Sequence, residues 1–104
     1  GGVLNLLRLN KTVGYDFETP LAPQPVFGMI QRAASVPDAE MAEVFNMGCG
    51  FCVVVPPEHA DAADTLLRTH YDGAHVIGRV TDAAGQVAVT PLGLVGDKFG
   101  LRPA

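Results

Sequence analysis

The sequence predicts an α/β (α+β) fold in which helices cover a mixed, largely antiparallel sheet, similar in part to the split βαβ unit of ferredoxin-like folds. Three observations support this prediction. The 104 residues are 48% hydrophobic and 17% charged, a balance typical of one packed domain. Apolar residues with helical spacing follow Pro25. A second helical pattern at 57–70 precedes two strand-like segments, 75–81 and 86–90.

The first half of the chain predicts three helices and one strand. Apolar residues within 3–9 predict a short helix that opens at two glycines, and residues 15–18 predict a short strand. A proline suited to a first helical position begins a helix over 25–34. Its apolar stripe consists of Val26, Met29, Ile30, Ala33 and Ala34. Two acidic residues at the start of segment 38–45 favour a further short helix.

The second half predicts one apolar strand, one helix and a hairpin. The run of three valines predicts a strand over 50–55. The Pro-Pro-Glu sequence after it predicts the start of a helix over 57–70. Strands 75–81 and 86–90 are expected to pair as a hairpin across the four-residue turn 82–85.

Composition and charge limit the partners of the chain. The formal net charge is −4, and the seven basic residues form no run, so neither nucleic acid nor an anionic membrane is an expected partner. No apolar stretch approaches the roughly 20 residues of a membrane helix, and a signal-peptide pattern is absent from residues 1–20. We therefore expect a cytoplasmic protein.

The sequence predicts a single domain over residues 1–104. The chain opens on Gly1 and passes at once into an apolar helical pattern, so we expect a piece of a longer protein. The tail 91–104 contains three glycines and is compatible with either a packed arm or a mobile end. Both interpretations stay open, as does the oligomeric state of the piece.

Asn46, Gly48 and Gly50 form the first candidate site. Glycines two apart let the backbone approach a ligand closely and direct N–H groups at an anion, while the apolar run after them supports the loop. The alternative is a tight turn in which Asn46 bonds its own backbone and the glycines supply positive φ. On the first interpretation, the loop lines a substrate or nucleotide cleft.

Gly1 and Gly2 form a second candidate site together with Asn5. Glycines before a helix expose backbone amides and the positive end of the helix dipole to phosphate, and Asn5 and Arg8 lie near the same turn. The alternative is that the glycines only start a helix and the apolar residues beside them only pack.

Cys49 and Cys52 have the C-x-x-C spacing of redox sites. Within a strand, side chains three apart point to opposite faces, so these sulfurs are expected to be badly placed for pairing unless the loop bends. Two small buried thiols are the favoured interpretation. A zinc site is disfavoured because the chain has no second C-x-x-C.

The three histidines, His59, His70 and His75, lie near the ends of predicted elements and predict surface structure. No metal site is therefore expected, and catalytic residues are not identifiable from the sequence.

Several short strings in the chain match one enzyme family. They are N-L-L-R at 5–8, P-V-F at 25–27, I-Q at 30–31, V-F-N-M-G-C-G at 44–50 and V-I-G-R-V at 76–80. With them, the chain resembles the C-terminal domain of phosphoribosylformylglycinamidine cyclo-ligase, or AIR synthase, from Gly1 to about Thr90. AIR synthases carry a glycine triplet before the first helix, and this chain shows two glycines there.

The resemblance implies the distal part of an AIR synthase C-terminal domain, without the N-terminal ATP-binding domain. The family uses ATP to close the imidazole ring, converting formylglycinamidine ribonucleotide to aminoimidazole ribonucleotide in purine biosynthesis. Family members are homodimers that bind Mg²⁺ mainly through the N-terminal domain. By resemblance, Gly1, Gly2, Asn46, Gly48 and Gly50 supply one wall of the cleft, and this part alone is expected to be inactive.

Two alternatives stay open. Selenophosphate synthetase, thiamine-monophosphate kinase and the hydrogenase maturation protein HypE share the architecture, although the N-L-L-R and F-N-x-G-x-G strings favour AIR synthase. The other alternative is a non-catalytic module for metabolite binding or dimerisation.

Overall fold

The computed structural model describes all 104 residues as a five-stranded sheet with three α-helices and three 3₁₀ helices. The strands are β1 (Gly14–Phe17), β2 (Gly78–Thr81), β3 (Val87–Val89), β4 (Leu94–Asp97) and β5 (Gly100–Pro103). The α-helices are α1 (Pro25–Ala34), α2 (Asp38–Val44) and α3 (Ala60–Arg68). The 3₁₀ helices are Val3–Arg8, Pro57–His59 and Thr90–Leu92.

The sheet is mixed and largely antiparallel, which confirms the predicted fold class. Its strand order is β2-β1-β3-β4-β5. Only the β1–β3 pair is parallel, and the other three neighbouring pairs are antiparallel. The tail beyond residue 90 supplies β4 and β5, so it is a packed part of the sheet.

The predicted hairpin between 75–81 and 86–90 is wrong in its pairing. Both segments contain strands, but β1 lies between β2 and β3 and bonds to each. The connecting turn passes over the start of β1, where the Gly85 N–H donates to the Val13 carbonyl at 3.0 Å. The Tyr15 N–H donates to the Gln86 carbonyl at 2.9 Å. β1, which is distant in sequence from both segments, therefore lies between them, and they do not pair with each other.

One hydrophobic cluster lies between the sheet and the elements that cover it. Alternate residues of β1 and β3 point into the cluster, as the two-residue period of a strand requires. The first 3₁₀ helix and α2 each contribute a side chain from the covering layer. The cluster consists of Leu7, Tyr15, Phe17, Ala42, Val87, Val89, Leu94 and Leu101.

The strand predicted over 50–55 is absent. Residues 50–56 have no regular secondary structure, because no neighbouring strand offers them ladder hydrogen bonds. The side chains of Phe51 and Val53 are 87% and 52% exposed. The apolar, β-branched run at 53–55 thus forms no strand, because no other strand lies beside it to pair with.

The predicted helix 57–70 is shorter than expected and begins as a 3₁₀ turn at Pro57–His59 before becoming α3. Neither α1 nor α3 buries a residue completely. Met29 of α1 is 61% exposed and Leu66 of α3 is 63% exposed. The apolar stripes that predicted these helices therefore face solvent to a large extent. None of the helices has the length and apolar character needed to cross a membrane.

Candidate functional site

Five of the six candidate residues line one cavity of about 290 Å³. The two segments that supply them, 1–6 and 46–52, are far apart in sequence and meet across the cavity. The five are Gly1, Gly2, Asn5, Asn46 and Gly50. Gly48 does not line it.

Asn46 stabilises, through two hydrogen bonds, the turn that precedes the cavity-lining residues Cys49 and Gly50. Its Oδ1 accepts a hydrogen bond from the Gly48 N–H at 2.8 Å, and its carbonyl accepts one from the Cys49 N–H at 3.0 Å. Met47 and Gly48 have positive φ values of 52° and 96°. Asn46 therefore forms the tight turn of the alternative interpretation. It also lines the cavity.

Gly48 is required by the turn. Its φ of 96° is unfavourable for other residues, and an added Cβ would lie 2.9 Å from the Gln24 side-chain oxygen. Gly50 differs, because an added Cβ there meets nothing within 4 Å and the residue lies in the cavity wall. The two glycines of the motif therefore have different roles.

Gly2 sits where the first 3₁₀ helix meets α2. Its carbonyl accepts the Asn5 N–H at 3.1 Å, which starts the helix. A Cβ on Gly2 would overlap the backbone carbonyls of Ala42 and Glu43. The short helix predicted within residues 3–9 is a 3₁₀ helix, Val3–Arg8, and glycine lets its start lie directly against α2.

The two cysteines lie together, because the loop bends, which was the stated exception to the expectation that their sulfurs are badly placed for pairing. The Cys49 and Cys52 sulfur atoms are 3.4 Å apart, and both side chains are partly buried in the cavity wall. The prediction assumed a strand, whereas this segment bends. Burial, then the hydrogen bond and charge interaction with Cys49, raises the pKa of Cys52 to about 12.

The cavity wall carries no charged side chain among its lining residues. The polar groups that its lining residues carry are backbone amides, the side-chain amides of Asn5 and Asn46, and the two thiols. Such a surface suits a phosphate or carbonyl group held by neutral N–H donors. The structure brings together no group of three or more His, Cys, Asp or Glu side chains.

Residues 1–90 match the family model described as AIR synthase related protein, C-terminal domain. The chain belongs to this family. It is 47% identical over 87 residues to the phosphoribosylformylglycinamidine cyclo-ligase of Methanothermobacter thermautotrophicus, covering 84% of this chain and 25% of the relative.

Two further relatives carry the same enzyme name. The one from Methanocaldococcus jannaschii is 43% identical over 83 residues, which is 80% of this chain and 24% of the relative. The one from Methanopyrus kandleri is 42% identical over 88 residues, which is 84% of this chain and 25% of the relative. The chain spans about a quarter of the length of these relatives. No solved structure matches the chain.

The resemblance to the AIR synthase C-terminal domain is thus confirmed. All six candidate residues lie within the matched range, whereas β4 and β5 follow it. Sequence reasoning did not assign Phe51, Cys49 or Cys52 to the site, although all three line the cavity. Their position next to Gly50 could have assigned them to the site. They were not assigned because a strand was expected over residues 50–55.

Proposed function

We propose that the chain is the C-terminal part of an ATP-dependent cyclo-ligase, which converts formylglycinamidine ribonucleotide to aminoimidazole ribonucleotide. The observation that supports this most is the cavity built from segments 1–6 and 46–52, in a chain whose relatives are named for that reaction. The reaction belongs to purine biosynthesis and takes place in the cytoplasm.

The proposed reaction requires a phosphate-binding wall. ATP phosphorylates the formyl oxygen, an internal amine attacks the activated carbon, and phosphate leaves, with ADP as the other product. Positioning and charge stabilisation supply most of the catalysis in such transfers. In this chain, Asn5, Asn46 and the amides beside Gly1, Gly2 and Gly50 hold an oxygen-rich group and orient it.

The cavity fits part of a substrate. Its volume of about 290 Å³ is just below the range of ligand pockets, which span roughly 300–1,000 Å³. The rest of the nucleotide site belongs, on this proposal, to a separate N-terminal domain. The lining of this cavity includes no carboxylate, the usual protein ligand of Mg²⁺, so on this proposal the ion is held mainly by the N-terminal domain. The 104-residue chain alone is therefore inactive.

The whole enzyme is proposed to be a homodimer. Two features support this: the apolar side chains that α1 and α3 leave exposed, and the apolar segment 51–54 beside the cavity. Exposed apolar surface of this kind marks interfaces with other domains or subunits.

Substitution of Asn46 tests the proposed role of the cavity. In the longer polypeptide that carries this domain, Asn46→Ala should lower kcat/KM about 10- to 100-fold, since a hydrogen bond to a charged group contributes about 1.5–3 kcal/mol. The measurement is ADP release with formylglycinamidine ribonucleotide and ATP.

Asn10→Ala is the matched control. Asn10 makes the same kind of turn, accepting the Thr12 N–H at 2.8 Å, but lies outside the cavity. Both variants should lose similar thermal stability, and only Asn46→Ala should lose activity. Equal activity in the two variants would assign Asn46 to the turn alone and remove its proposed role in binding.

A further inference from the structure

Cys49 and Cys52 lie close enough to exchange disulfide bonds. Their sulfurs are 3.4 Å apart, and a disulfide needs about 2.05 Å. The intervening Gly50 and Phe51 belong to no strand, so ladder hydrogen bonds do not hold the segment in place. We propose that Cys49 and Cys52 form a reversible thiol–disulfide exchange site for small-molecule disulfides, and that its oxidation reshapes the adjoining cavity.

The hydrogen-bond arrangement gives the two thiols different roles. The Cys49 sulfur lies 3.8 Å from the Phe51 carbonyl, to which its S–H can donate, and the Cys52 S–H then faces the Cys49 sulfur. Burial, followed by the interactions with Cys49, raises the pKa of Cys52 to about 12, so Cys52 remains protonated at neutral pH. Cys49 is therefore the attacking residue and Cys52 the resolving one.

The exchange is balanced with a disulfide such as oxidised glutathione as oxidant. The Cys49 thiolate, having released its proton to solvent, attacks one sulfur of the disulfide and breaks its S–S bond. A mixed disulfide forms, and the first reduced thiol leaves after taking up a proton. Cys52 then gives up its proton and attacks the Cys49 sulfur, which expels the second reduced thiol. Two electrons pass from the two cysteines to the oxidant.

The exchange site is connected to the cavity through the backbone of its own loop. The Cys49 N–H donates to the Asn46 carbonyl at 3.0 Å, and the Gly48 N–H donates to Asn46 Oδ1 at 2.8 Å. Shortening the sulfur–sulfur distance moves the backbone at Cys49, which is the end of the turn that Asn46 begins. The inference does not depend on the proposed cyclo-ligase reaction, since it concerns only the loop and its two thiols.

Glutathione exchange followed by intact-mass analysis tests the chemistry. Oxidised glutathione should remove two hydrogens from the wild-type chain and leave no glutathione attached, and reduced glutathione should reverse the change. Cys52→Ser should retain one glutathione on Cys49, because the resolving thiol is missing. Cys49→Ser should react more slowly than Cys52→Ser. Retained glutathione on the wild-type chain, or disulfides only between chains, would overturn the proposal.

A comparison of the folded and unfolded chain shows whether the fold favours the disulfide beyond what the C-x-x-C spacing alone provides. The equilibrium constant for the intramolecular disulfide should be about tenfold or more larger in the folded chain than in guanidinium chloride, because the fold holds the sulfurs together. An equal or smaller constant in the folded chain would contradict the proposed site.

Amide resonances report on the second part of the proposal. Oxidation should shift the amide signals of Asn46, Gly48 and Gly50, whereas Gly73, outside the cavity, should not move. The Cys49→Ser/Cys52→Ser double variant should show no change with oxidised glutathione. Unchanged signals at all three loop residues in the oxidised wild-type chain would refute the effect on the cavity.

Discussion

Gly50 is the loop residue at which the site can be changed without disturbing the fold. An added Cβ meets nothing within 4 Å, so Gly50→Ala should leave the free energy of unfolding almost unchanged. The methyl group enters the cavity wall, and kcat/KM of the longer enzyme should fall about tenfold, the effect of a lost 1.4 kcal/mol. ADP release and thermal melting measure the two quantities.

Gly73→Ala is the matched control for this substitution. Gly73 also has open space around its Cβ position and lies outside the cavity. It should keep both activity and stability. If Gly50→Ala were as active as Gly73→Ala, the loop would not contact the substrate and the candidate site would be wrong at this position.

For individual residues, the sequence identified the loop at Asn46 as a candidate site. It did not distinguish the residues that build the turn from those that line the cavity. The glycine spacing predicts both a turn and a site, and only the three-dimensional structure distinguishes Gly48, which builds the turn, from Gly50, which lines the cavity. The closeness of Cys49 and Cys52 was missed because alternation along an assumed strand placed their sulfurs on opposite faces.

Among the elements, α2 and β5 are joined by one polar contact across the edge of the core. Glu43 Oε1 accepts the Leu101 N–H at 2.5 Å. Glu43→Ala should lower the free energy of unfolding by about 1.5–3 kcal/mol, as expected for a hydrogen bond to a charged group. Amide exchange at Leu101 should become faster, because β5 loses its link to the helix.

Glu40→Ala provides the control, since Glu40 lies on the same helix, is exposed and accepts no such bond. It should lower stability by only about 0.3–1 kcal/mol, the dipole contribution of an acid in the first turn of the helix. Equal Leu101 exchange rates in the two variants would show that strand pairing with β4 alone holds β5.

The elements predicted correctly are those that local pattern determines. The helices at 25–34 and 38–45 follow from apolar spacing and terminal residues, and the structure has them at Pro25–Ala34 and Asp38–Val44. Two of the errors depend on distant neighbours. Segment 50–55 has no partner strand, and β1 enters between β2 and β3. Neither fact is contained in a local window of sequence.

The whole molecule exposes many large apolar side chains. Met29 and Leu66 are each more than 60% exposed on helices that bury nothing completely. The isolated chain should therefore self-associate and bind a hydrophobic dye, as measured by sedimentation and fluorescence. Met29→Lys should weaken both.

Leu9→Lys is the control, because Leu9 is equally exposed at 66% but lies outside α1 and α3. It should leave association nearly unchanged. A monomeric wild-type chain that binds no dye would show that the exposed helix faces need no covering partner.

The central claim concerns the reaction, and substrate-dependent ADP release tests it most directly. The longer polypeptide is assayed with ATP in the presence and absence of formylglycinamidine ribonucleotide, beside the 104-residue chain. The account predicts ADP release by the longer polypeptide only when the ribonucleotide is present, and none by the chain alone. A folded longer polypeptide that releases no ADP with this substrate would contradict the cyclo-ligase assignment.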